Sequence, residues 1–203
     1  MQGACLEQLP QDRSTSVSEA LCIRHSPSSS MLAAGHADGC IRLWNTDDSK
    51  CIATLHSHSR AVTALAFNAN GGYLASGSQD TDIIVWDVAG EVGMYKLHGH
   101  TNQVTSLAIL DGQNKLISAG KDGFIRVWDL TAQFCMQTIP QHAGEILKVK
   151  LHGFSYLTVA GQPSVHCMCE QAYPNIAPTH VPCSSAHVHH SIGILHMHVS
   201  QHL

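Results

Sequence analysis

The sequence predicts an all-β protein assembled from repeated four-stranded units, and three observations carry that reading. Trp44, Trp86 and Trp128 recur at a 42-residue step and end the runs CIRLW, DIIVW and FIRVW. Asp38, Asp80 and Asp122 stand six residues before each tryptophan, and His58, His100 and His142 keep the same step. Charged residues make up 13% of the chain, about half the share usual in globular proteins, which leaves coiled coils and charge-rich helices little support.

Within one repeat, AVTALAF (61–67), YLASGS (73–78), IIVWDV (83–88) and MYKLHG (94–99) read as four short strands parted by turn residues. The turns ADG, QDTD and KDG supply aspartate and glycine, the residues that accept positive φ at small steric cost. Small and apolar side chains occupy both faces of the runs, as expected of sheets covered on both sides.

A four-stranded antiparallel unit recurring every ~40 to 45 residues marks a β-propeller blade. The runs LASGSQDTDIIVWD and LISAGKDGFIRVWD, and the pair Gly99-His100 that opens the next repeat, resemble the WD-repeat family over about residues 14–150. The expected organisation is an outer strand or disordered leader at 1–13, repeats at about 14–57, 58–99 and 100–141, a degenerate fourth at 142–162, and a His-rich unstructured tail at 163–203. Propellers close at roughly four to eight blades, so three blades and part of a fourth predict an open arc with unprotected side faces.

The resemblance implies a hydrogen-bonded set of His, Ser, Asp and Trp inside each blade. Carried over by position, these are His58, Ser76, Asp80 and Trp86 in the second repeat, and His100, Ser118, Asp122 and Trp128 in the third. A buried indole N–H needs an acceptor, and a satisfied polar network specifies one strand arrangement. His, Ser and Asp together also suggest a hydrolase triad. Recurrence at 42 residues argues against that, because catalysis needs one constellation in one cleft whereas a strut is needed in every blade. No enzyme activity and no cofactor are expected.

The first repeat keeps Asp38 and Trp44 but has Ser16, Ala34 and Asn45 where the pattern has His, Ser and Asp, so its blade should be less tightly specified. The fourth opens with His142 and GEILKVKLHG. YLTVAGQP then echoes KLISAGKD one residue out of step, and the pattern fails at Pro163 and Cys169.

Residues 152–203 hold nine His, three Cys, four Pro and a single charged residue, Glu170. One reading is a metal site drawn from Cys167, Cys169, Cys183, His187, His189 and His190. The favoured reading is an unstructured extension without metal, since repeat register, Lys and Arg, and strand punctuation all disappear there.

A formal charge of -4 with 11 Lys and Arg gives no broad basic surface for a phosphate backbone. The eight cysteines form no Cys-x-x-Cys pair, and MQGACLEQLPQDRSTS lacks an apolar stretch, so reduced, intracellular thiols and a soluble chain are expected. The continuous stretch GGYLASGSQDTDIIVWDVAGEVGMYKLHGH (71–100), above all DTDIIVWDV, resembles the first propeller of the tandem-propeller WD-repeat proteins of the small-subunit processome. That resemblance implies a nucleolar protein-interaction scaffold for ribosomal RNA processing, with partners among the other proteins of that complex, indirect or weak RNA contact and no membrane. Another adaptor role, in a ubiquitin ligase or in signalling, is the alternative.

Overall fold

In the computed structural model, residues 18–140, 144–152, 156–161 and 165–167 are described. All their regular structure is β. The first sheet contains β1 (Ala20–His25), β2 (Met31–His36), β3 (Cys40–Asn45) and β4 (Lys50–His56). The second contains β5 (Val62–Phe67), β6 (Tyr73–Ser78), β7 (Ile83–Asp87) and β8 (Val92–Leu97). The third contains β9 (Val104–Leu110), β10 (Lys115–Gly120), β11 (Phe124–Asp129) and β12 (Phe134–Pro140). A three-stranded sheet follows, formed by β13 (Ile146–His152), β14 (Tyr156–Gly161) and β15 (Val165–Cys167).

Each sheet is an antiparallel meander in chain order, because short Asp- and Gly-containing turns return each strand beside the one before it. Registers repeat with the sequence: Leu32, Leu74 and Leu116 pair with Trp44, Trp86 and Trp128. Each tryptophan also adjoins a register shift, at Leu43/Trp44, Val85/Trp86 and Val127/Trp128.

Among the described residues, extensive packing between sheets runs only between consecutive ones, through β1 against β5, β5 against β9 and β9 against β13, so these sheets form an open arc. Ile41, Leu43 and Leu55 meet Leu65, Leu74, Ile84 and Trp86 in the first seam. Ile83, Val85 and Leu97 meet Val104, Leu107, Leu116 and Trp128 in the second, and Ile117 and Ile125 meet Ile146 and Val149 in the third. The inner strands approach closely: a Cβ at Gly35 or Gly77 would come within 2.7 Å of Val62 Cγ1 or 2.5 Å of Val104 Cγ1. Any larger residue there would wedge the sheets apart.

Two details depart from the sequence reading. The expected end of the fourth repeat at 162 falls inside the last sheet, since β15 pairs Val165 with Ala160 and Cys167 with Thr158. Without it, that edge of β14 would present unpaired N–H and C=O groups. The QDTD turn contains no glycine. Thr81 takes a φ of 74° where its counterparts Gly39 and Gly123 have 85° and 77°, a region disfavoured for a β-branched side chain.

The leader 1–13, Ser16, His142, Pro163, Cys169, Cys183, His187, His189 and His190 lie outside the described residues.

Candidate functional site

The second and third sheets each bring the four expected polar residues together. In the second, Trp86 Nε1–H donates to Ser76 Oγ at 2.8 Å, and Ser76 Oγ lies 2.8 Å from His58 Nε2. His58 Nδ1 lies 3.0 Å from Asp80 Oδ2. The third sheet repeats this with Trp128 to Ser118 at 2.8 Å, Ser118 to His100 at 2.7 Å and His100 to Asp122 at 2.8 Å.

The chemistry of the partners assigns the protons. A carboxylate only accepts, so Nδ1 carries the imidazole hydrogen. Nε2 is then an acceptor, and the serine hydroxyl donates to it while accepting from the indole. Hydrogen-bond direction therefore runs from indole to hydroxyl to imidazole, and then from Nδ1–H to carboxylate.

Backbone amides complete the set. Ser59 N and Asp82 N donate to Asp80 at 3.0 and 3.1 Å, and Thr101 N and Phe124 N donate to Asp122 at 3.0 and 3.2 Å. One carboxylate thus ties the entry to its sheet to the turn between the second and third strands.

Burial pushes both histidines below their usual range and outweighs the opposing pull of the aspartates, which keeps the imidazoles neutral. For Asp80, burial pushes upward but is outweighed by the adjoining imidazole and the two amides, so its carboxyl sits below the usual value. The Ser-His-Asp order matches that of a hydrolase, yet both serines are fully buried and accept a hydrogen bond from an indole. Neither hydroxyl faces a cleft that could receive a substrate.

The first sheet is built differently. Ala34 offers Trp44 no acceptor. Arg42 Nη2 instead reaches Asp38 Oδ2 at 3.0 Å, while Asp38 Oδ1 accepts the Cys40 amide at 2.9 Å and the Asp38 amide donates to Ser18 Oγ at 2.9 Å. Burial pushes Asp38 upward, and the Cys40 amide together with the Arg42 guanidinium outweighs it, leaving the carboxyl below its usual range.

Several functional contacts were not anticipated from the sequence. Thr63 and Thr105 donate across the seams to the carbonyls of Val104 and Ile146, a role signalled by their 42-residue separation. Asp111, which reads as an exposed residue, is half-buried and accepts the Ala69 amide of the neighbouring sheet at 2.9 Å. Asp82 gathers His98 at 2.6 Å and Lys96 at 2.7 Å, and in the equivalent place Cys40 Sγ lies 3.0 Å from His56 Nδ1.

No group of three or more His, Cys, Asp or Glu among the described residues is placed to hold a metal ion. Of the candidate ligands in the tail, Cys167 alone has its backbone described, in β15. No helix of the described residues is long and apolar enough to cross a membrane.

Comparison with known proteins adds the family. The chain is 41% identical over 49 residues to Periodic tryptophan protein 2 of Arabidopsis thaliana, a stretch that is 24% of this chain and 5% of that protein. Its fold is similar to those in a crystal structure of RRP9 WD40 repeats and a structure of U3-55K. Each has a TM-score of 0.69 at 22% identity, over 75% of this chain and 47% of the solved one. The chain therefore spans under half the length of these structures, and at that identity the likeness is one of fold. The family model of the WDR3 first beta-propeller domain matches residues 2–167. With the repeat and, in its second and third sheets, the indole-to-carboxylate networks inside that span, the chain belongs to the family of the WDR3 first beta-propeller domain.

Proposed function

We propose that this protein is a non-catalytic protein-interaction scaffold of the small-subunit processome, acting in small-subunit ribosomal RNA processing in the nucleolus. The observation that carries the reading is the run 71–100, with DTDIIVWDV at its centre, which resembles the processome's tandem-propeller proteins and forms most of the second sheet. Membership of the WDR3 first-propeller family over residues 2–167 supports it.

The buried Ser-His-Asp sets serve as struts that hold each sheet's entry to its turn. Their partners are other residues of the same blade, which leaves the loop tips as the surface for other proteins. A net charge of -4 favours association through protein partners, with RNA contact indirect or weak.

The test is to tag the chain in cells and measure its nucleolar localisation and its recovery of the U-three small nucleolar RNA. Nucleolar enrichment with RNA recovery is expected. Exclusion from nucleoli with no RNA recovered would replace the processome reading with that of an adaptor in another complex.

A further inference from the structure

The loop between β5 and β6 carries Asn70-Gly71, the one Asn-Gly pair of the chain. An asparagine followed by glycine can lose ammonia without an enzyme, because no Cβ shields the glycine nitrogen from the side-chain amide. Three features of this loop bear on that reaction. Asn70 is exposed, so water reaches its side chain. Gly72 N–H donates to Asn70 Oδ1 at 2.9 Å, and this oxygen is the one that gains negative charge when a nitrogen adds to Cγ. Gly71 N–H is held by Asn68 O at 3.0 Å. That turn bond lies outside the strand ladders and opens without parting any strands.

The same loop is pinned to the first sheet. Ser28 Oγ–H donates to Asn70 O at 2.7 Å. Gly71 adopts a φ of 69°, and a Cβ there would stand 2.5 Å from Ser26 Oγ and 2.6 Å from Ser28 Oγ. Ser26 is fully buried, and its amide donates to Met31 O at 2.8 Å, closing the turn between β1 and β2. Extra backbone at this point has no room.

We propose that Asn70 is a site of spontaneous deamidation and isomerisation, and that its isoaspartyl form loosens the first seam. Gly71 N gives its proton to water and bonds to Asn70 Cγ, whose C–N bond breaks to release ammonia and leave a cyclic succinimide. Water then opens the ring. Addition at Cγ yields aspartate. Addition at the main-chain carbonyl carbon yields isoaspartate, in which the chain runs through Cβ and Cγ and is longer by a methylene. The carbonyl that Ser28 bonds then becomes a free carboxylate on a side branch, and the lengthened chain shifts Gly71 against Ser26 and Ser28.

Peptide mapping of the full 203-residue chain, before and after storage in mildly alkaline buffer, tests this when the fragmentation separates aspartate from isoaspartate. Both products are expected at Asn70, while the exposed Asn102, followed by Gln103, remains an amide. Hydrogen exchange at the Ser26 and Met31 amides should be faster in stored protein than in fresh. Asn70→Gln, whose longer side chain disfavours the ring, should show neither change. Fresh Asn70→Asp, which carries the acid on an ordinary backbone, should exchange at those amides like the unaltered protein. An Asn70 that stays an amide, conversion of Asn102 at the same rate, unchanged exchange in protein holding isoaspartate, or faster exchange already in fresh Asn70→Asp would each overturn the proposal. None of these outcomes bears on the processome reading, which is judged by localisation and RNA recovery.

Discussion

In the second and third sheets a buried indole, hydroxyl, imidazole and carboxylate satisfy one another in a line. In the first sheet an arginine pairs with the aspartate, and an alanine stands at the repeat position of the serine. The strand order and the leucine-to-tryptophan pairing are nevertheless the same in all three. The comparison separates two jobs. Apolar alternation and turn chemistry set the meander, while the polar line adds stability and a dependence on protonation.

The largest expected difference between these sheets lies in the tryptophans. Trp128→Ala removes a ring that is 1% exposed in a seam between two sheets and should cost about 3 to 5 kcal/mol in urea unfolding. Trp44→Ala should cost less, because Trp44, though 7% exposed, belongs to none of the clusters that join two sheets among the described residues. Equal losses would show that the first sheet's outer face is covered as fully as an internal seam.

Next come the aspartates. Asp80→Ala strands the His58 Nδ1–H and the amides of Ser59 and Asp82, a loss of about 1 to 3 kcal/mol. Asp38→Ala should cost less, since its carboxylate is 27% exposed against 5% for Asp80 and water can reach part of what it leaves, although the Arg42 it pairs with is itself buried. Matching midpoint shifts for the two variants would refute the distinction.

Acid should divide the sheets in the same way. His58 and His100 titrate below their unfolded value of 6.5, so the unfolded chain binds more protons than the folded one as pH falls beneath 6.5. Their contribution is fully present above that pH and is lost below it. The first sheet has no such histidine pair. Its Asp38, lowered from 3.8, gives up stability only in stronger acid. Hydrogen exchange at pH 7.5 and pH 5 should show protection falling first in β5–β12; a uniform fall that includes β2 and β3 would count against it.

The smallest effect has the opposite sign. Thr81→Gly should raise stability by about 1 kcal/mol by relieving the left-handed backbone that Gly39 and Gly123 occupy without strain. An unchanged or lowered midpoint would mean that the Thr81 side chain compensates for its backbone.

Residues with a fixed spacing were legible in advance. The 42-residue step of Trp, Asp and His located the sheets, because one blade packs like the next only if equivalent positions recur, and the resemblance to the WD-repeat family grouped His58, Ser76, Asp80 and Trp86. Contacts made once were not. The pairing of Arg42 with Asp38 breaks the repeat and uses a residue type that reads as a solvated charge. Asp111 lies in a loop whose approach to Ala69 exists only after two sheets have docked.

The sequence by itself determined the strands and their turns, which follow from alternation, turn chemistry and period, and its resemblance to the WD-repeat family implied the partners within a blade. Only the tertiary structure decided the seams: which serines lost all access to solvent, which threonines bond to the next sheet's carbonyls, and that Ile23 stays exposed where Leu65 is covered. Burial is a property of the neighbour that covers a residue, and that neighbour lies a whole repeat away in the chain.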